Sequence, residues 1–122
     1  MKTEQILNLD CTKEENKYKI NNILWKVKPL SKLLEKNNYT KTELAPIELL
    51  EKALHGLCTR YGYRMQQIWC YKEENNFKFW SCGVMKEADN NKWLGDVYGI
   101  TLWEIVAKLI IKIYAEERKN NE

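Results

Sequence analysis

The chain is short of several residue types on which function is commonly built. It has one histidine, two prolines and five glycines. Gly95 and Gly99 do not make a G-x-G-x-x-G, so no phosphate-cradling loop is written into the sequence. The four cysteines, Cys11, Cys58, Cys70 and Cys82, contain no C-x-x-C or C-x-x-H spacing, and a zinc site has no interval to support it. The longest apolar run, near residues 109–111, is far below the ~20 residues of a membrane span. The opening Met-Lys-Thr-Glu-Gln lacks the apolar segment of a secretory signal. Reduced cysteines and a cytoplasmic location, with no membrane partner, are therefore expected. Arginine is confined to Arg60, Arg64 and Arg118, so lysine supplies nearly all the positive charge. Together with five Asn-Asn pairs, that lysine excess has the look of drift in an AT-rich genome. A formal net charge of +3 does not by itself argue for a nucleic-acid partner.

What the chain does have is apolar residues, 44% of the total with five tryptophans, which excludes disorder for its body. Its 122 residues suit one domain with one core. The best-specified stretch is the end. Thr101 and Glu104 stand in capping-box register, and Ile100 and Ile105 have the spacing of a hydrophobic staple. The helix that follows carries Leu102, Val106, Leu109 and Ile113 in one stripe, with Ile105 beside it. Trp103, Ala107, Ile110, Ile111 and Tyr114 extend the apolar surface to an arc of roughly 240°, against the ~100° usual for a surface helix. Glu104, Lys108 and Lys112 hold the polar strip that is left. Such a helix must be covered on two sides.

Before it, Thr3 to Leu9 suggests a short helix. Thr12 with Glu15 reads as a capping box opening a second, striped by Ile20, Ile23, Leu24 and Val27. Pro29 is expected to end or kink that helix, with Leu30, Leu33 and Leu34 carrying another turn or two. Residues 37–43 read as a loop, and Pro46 suits the first turn of a helix that Gly62 stops in the left-handed region. Residues 63–98 then change to strand period: 63–72 and 77–85 as a hairpin around Glu73-Glu74-Asn75-Asn76, then 93–98, with Gly95 as a candidate bulge. The expectation is one α+β domain over 1–122. It comprises an N-terminal helical segment (1–36), an α-β-β-β-α core (46–117) with a three-stranded antiparallel meander under the C-terminal helix, and a charged tail (118–122).

No catalytic constellation is legible. His55 sits on a polar helix face among Glu48, Glu51 and Lys52, and reads as solvated. Cys58 and Cys70 read as small buried hydrophobes. Asp96, just before the last helix, and Asp89 read as capping or surface residues, with contact to a ligand as the alternative for Asp96. The reading is a non-enzyme without cofactor or metal. The sheet aromatics interleave with Lys72, Lys78, Lys86 and Lys92, a pattern that can stack and hold a nucleotide or a single strand. Trp69, Tyr71, Lys78, Trp80 and Trp93 are the candidate ligand-binding residues, packing of a small sheet being the plainer alternative. Trp103, Ile110, Ile111 and Tyr114, on the far side of the last helix, are the candidate interface of a homodimer or higher oligomer.

Two resemblances bear on function. The helix–strand–strand–strand–helix order from Pro46 to Arg118 looks like the double-stranded-RNA-binding domain. That family opens its last helix with a basic Lys-Lys-x-Ala-Lys stretch, whereas Gly99-Ile100-Thr101-Leu102-Trp103-Glu104 here is apolar and acidic. The chain also resembles small proteins of bacteriophages and prophages, especially those of gut bacteria. The stretches concerned are Glu4-Gln5-Ile6-Leu7-Asn8-Leu9-Asp10-Cys11, Lys26-Val27-Lys28-Pro29-Leu30 and Asp96-Val97-Tyr98-Gly99-Ile100-Thr101-Leu102-Trp103-Glu104. The closing strand and helix are similar to the end of phage α-β-α sandwich domains. The resemblance implies a phage or mobile-element accessory protein in the cytoplasm of a host bacterium, acting by binding a host protein or by sequestering a small nucleotide. An RNA-binding domain is the alternative.

Overall fold

The protein is an α+β fold in which one helix is packed on every side. The computed structural model describes residues 2–66, 69–72 and 78–120, and the backbone alone at 69–72, 78, 79 and 120. The order is α1 (Thr3–Leu7), α2 (Glu14–Leu24), α3 (Lys28–Lys36), α4 (Ile47–Tyr61), β1 (Tyr63–Met65), β2 (Trp69–Lys72), β3 (Lys78–Lys86), β4 (Lys92–Gly99) and α5 (Leu102–Asn120). A single 3-10 turn, Glu87–Asp89, joins β3 to β4.

The sheet is built around β3. Its one edge takes β1, Tyr63 opposite Lys86, and then β2, Trp69 opposite Ser81; its other edge takes β4, all antiparallel. Val84 faces Gly95 while Met85 faces Trp93, so Leu94 is the extra residue of a bulge. Gly95 holds φ +100° there, a conformation that a side chain resists. The β3–β4 turn closes with Asn90 and Asn91 both at positive φ, which short amide side chains tolerate. Gly62 ends α4 at φ +76°, its amide donating to Cys58 O at 2.9 Å.

The expected Thr101 cap forms at the start of α5, with the carboxylate side of the box shifted back by one residue. Thr101 Oγ1 accepts the Glu104 amide at 3.2 Å, and Glu104 Oε1 accepts the Ile100 amide at 3.0 Å. From Glu104 to Ile111 every residue of the helix is buried. α4 and the sheet cover one side of it, α1 and α2 the other. Ile20 and Leu24 of α2, Val27 at the α2–α3 corner, Leu30 and Leu34 of α3 and Leu50 of α4 meet Ile105, Leu109, Ile110 and Ile113 in one core.

Two expectations of the sequence are corrected. Thr12 does not cap α2: Asp10 Oδ1 captures both its amide (3.0 Å) and its hydroxyl (2.7 Å), and the helix begins at Glu14 behind an uncapped Lys13. Pro29 does not close a helix. It stands in the first turn of α3, where a missing N–H costs nothing. The polar strip of α5 is itself covered at Glu104 and Lys108, where β4 and the N-terminal arm meet it. Lys108 Nζ donates to Glu104 Oε2 (2.5 Å), Tyr98 O (3.0 Å) and Leu9 O (3.3 Å), tying helix, sheet and arm at one buried atom. Among the described residues no helix is long and apolar enough to cross a membrane.

Candidate functional site

The sequence-predicted ligand residues lie on β2, β3 and β4, and two of them, Trp80 and Trp93, fall on opposite faces of that sheet. Trp80 pairs with Gly99 and shares its strand face with Cys82 and Val84, so it packs against the core. Trp93 pairs with Met85 on the opposite face, is 45% exposed, and lays its ring over Gly83, whose missing Cβ would stand 2.2 Å from it. Two aromatics on opposite faces of one sheet cannot enclose the same ligand. Trp69, Tyr71 and Lys78 lie on paired strands opposite Ser81, Phe79 and Lys72, and their side chains fall outside the described residues.

The predicted oligomer set is divided in the same way. Ile110 and Ile111 are buried inside the chain at 0% and 2% exposure, because α1 and α2 supply the second cover themselves. Neither side chain is open to a second copy. Trp103 is engaged within the chain: its Nε1 donates to Ala45 O at 2.7 Å. Ala45 is gripped from the other side by Asn21, whose Oδ1 accepts the Ala45 amide at 2.9 Å and whose Nδ2 donates to Glu43 O at 2.7 Å. Tyr114 reaches an open concave surface, while Ile111 only floors the hollow beside it.

That surface is a groove of about 510 Å³ between the α2–α3 corner, the end of α4 and the last turns of α5. Its walls bring together Lys26, Lys28 and Lys32, Arg60 with Tyr61, and Tyr114 with Glu117 and Arg118. The sequence builds it simply. Helix α2 stops at Leu24, and the short turn before Pro29 swings Lys26 and Lys28 outward while Val27 goes to the core. Arg60 and Tyr61 end α4 just before the Gly62 stop, and Tyr114 and Arg118 are one helical turn apart on α5. Each arginine lies over its tyrosine, Arg60 at 5.1 Å from the Tyr61 centroid and Arg118 at 5.5 Å from that of Tyr114. A second hollow of about 350 Å³ continues along α5 and shares Lys26, Tyr114 and Arg118 with the first.

Charge in the groove is one-sided. None of its five cations joins an ion pair among the described residues. Its one acid, Glu117, is already taken: Lys86 Nζ donates to Glu117 Oε2 at 2.7 Å, and the Tyr63 hydroxyl donates to the same oxygen. Burial opposes ionisation of Glu117, but the hydrogen bonds from Lys86 and Tyr63 prevail and hold its carboxyl below the ordinary value of 4.5. Burial, reinforced by that carboxylate, pushes the Tyr63 hydroxyl well above its usual range, so it stays a donor. A carboxylate held between an ammonium and a phenol projects little charge into the groove.

Elsewhere the chemistry is thinner. A shallow hollow of about 540 Å³ joins His55 and Cys58 of α4 to Tyr63 and Met65 of β1. Burial, with a smaller contribution from Cys82, pushes the Cys58 thiol up to about 11, and burial likewise pushes Cys11 to about 11. Thiols held protonated in this way are poor nucleophiles. Among the described residues no cluster of three or more His, Cys, Asp or Glu side chains is placed to hold a metal. Asp96 is exposed on the outer sheet face opposite Gly83, and the helix start it was expected to serve is capped by Thr101.

Comparison with protein-family models, with curated proteins and with solved structures gives no significant match. The functional reading therefore rests on the groove and its chemistry.

Proposed function

We propose that this is a non-catalytic accessory binding protein of phage or mobile-element type, and that the α2–α3/α4/α5 groove takes a small nucleotide. The observation that carries the reading is the meeting of five unpaired cations with two tyrosines in one concavity. A volume of about 510 Å³ lies within the ~300–1,000 Å³ common to small-molecule sites. The lysines and arginines suit phosphate oxygens, the guanidinium forks most of all. Tyr61 and Tyr114, each with its guanidinium, offer flat surfaces on which a base can lie. A concave site of this kind favours a small ligand over a host-protein surface.

The RNA-binding alternative draws on the α4–sheet–α5 order alone. The start of α5, where the similar family carries its phosphate-binding lysines, is here occupied by a buried Glu104 and an exposed Leu102. The cations are gathered at the other end of that helix.

Calorimetric titration with adenine and guanine nucleotides tests the proposal. Saturable one-to-one binding is expected, weakened at least tenfold by Arg118→Glu, a change at an exposed residue that leaves the thermal midpoint within a few degrees of wild type. Failure of every nucleotide to bind, or affinity indifferent to Arg118, overturns it. Tight binding to duplex RNA with a steep salt dependence, in the absence of nucleotide binding, would favour the alternative.

A further inference from the structure

From the charge census of the groove we infer that its ligand is a nucleoside polyphosphate bound in its magnesium-free form. The inference rests on the nucleotide reading above and goes on to name the ligand's ionic state. A polyphosphate in solution carries three or four negative charges and is usually neutralised by Mg²⁺. Sites that accept the magnesium complex hold the ion through one or two carboxylates together with the phosphates. This groove has at most one such carboxylate. Among the described residues its single acid is Glu117, which accepts both Lys86 and Tyr63 on Oε2; only Oε1 is left for a metal, and the Lys86 ammonium, 13% exposed at its side chain, already offsets the carboxylate's charge.

What the groove has instead is cations in the number a triphosphate requires. Lys26, Lys28 and Lys32 line the corner where α3 begins. The positive end of the α3 dipole adds to their field. Arg60 and Arg118 stand on the walls beside the tyrosines. The lysines therefore take the place of the metal along the phosphate chain, and the base lies toward Tyr61 and Tyr114. A magnesium ion bound to the chain would bring two positive charges into a cavity already lined by five, with at most one charge-offset carboxylate oxygen, Oε1 of Glu117, to set against them. The metal should therefore compete with the protein for the phosphates and not join them in a ternary complex.

Titration of the full-length protein with ATP at fixed ionic strength, once with EDTA and once with excess MgCl₂, reads this directly. AMP, which holds Mg²⁺ weakly, and tripolyphosphate, which has no base, are titrated alongside. ATP is expected to bind at least tenfold more weakly with magnesium, and AMP to bind more weakly than ATP but equally in both buffers. Tripolyphosphate is expected to fall below ATP. Charge reversal at the exposed Lys28 (Lys28→Glu) should lower ATP affinity about tenfold and leave AMP within threefold, with Lys28→Ala giving a smaller loss in the same direction. If ATP binds equally well or better with magnesium while Arg118→Glu still weakens it, the metal-free inference is overturned and the groove reading stands. If neither ATP nor AMP binds in either buffer, both are overturned. Tripolyphosphate binding as tightly as ATP would remove the base from the account.

Discussion

At Lys108 a single side chain decides whether three parts of the fold meet. Its ammonium is buried and spends its three donors on Glu104, on a sheet carbonyl and on the carbonyl of Leu9. Removing one member of a buried pair strands the other, at a cost of about 3–5 kcal/mol. Lys108→Met should therefore lower stability by an amount in that range, read as a fall in the urea midpoint. The double change with Glu104→Met should recover part of the loss, since no charge is then left buried. A loss below about 1 kcal/mol for the single change would show that water reaches this pair.

At the scale of the element, α5 is the test of what patterning can and cannot say. Its cap and its over-wide apolar arc are local properties, so they were legible in residues 101–114, as were the Gly62 stop and the Gly95 bulge. The identity of its covers was not. The arc demands two, and the chain supplies both, by folding α1 and α2 over the side that a dimer would otherwise bury. Ile111→Lys is accordingly expected to destabilise the chain itself and not to release a folded monomer. Placing a charge at a residue 2% exposed should cost at least about 4 kcal/mol, a large part of the ~5–15 kcal/mol that holds a small domain. A well-folded Ile111→Lys with unchanged circular dichroism and midpoint would contradict this packing. Thr12 and Pro29 show the limit from the other side. Each carries a sound local signal, and each was overruled by a neighbour, the Asp10 carboxylate in one case and the second half of a helical corner in the other.

For the whole molecule the charge distribution matters more than its sum. A formal +3 is unremarkable, yet five cations converge on one groove whose only acid among the described residues is paired with Lys86. Nothing local announces this. The lysine group at 26–32, Arg60 and Arg118 are far apart in sequence, and in a lysine-rich chain each reads as ordinary solvated charge. The sheet aromatics drew attention because they are clustered in sequence, but period-two alternation sends Trp80 and Trp93 to opposite faces. Of the nine residues singled out for binding or assembly, Tyr114 is the one that the packing delivers to the groove. The same carboxylate that is silenced there makes stability depend on pH. Glu117 has a folded pKa below its unfolded value, so its contribution is complete above about 4.5 and is lost as pH falls through the lower folded value. Acid unfolding of Glu117→Gln should show a flatter dependence below pH 4.5 than the wild type, and parallel curves would remove Glu117 from that role.

On the reading proposed above, the ligand is expected at the basic end of α5 and not on the sheet. Backbone amide chemical-shift mapping with ATP in EDTA tests it most directly. The account predicts saturable shifts confined to residues 26–32, 57–61 and 113–118, with the outer-sheet amides of Trp93 and Tyr98 unmoved. Shifts centred on β4, or none at millimolar ATP, would contradict it.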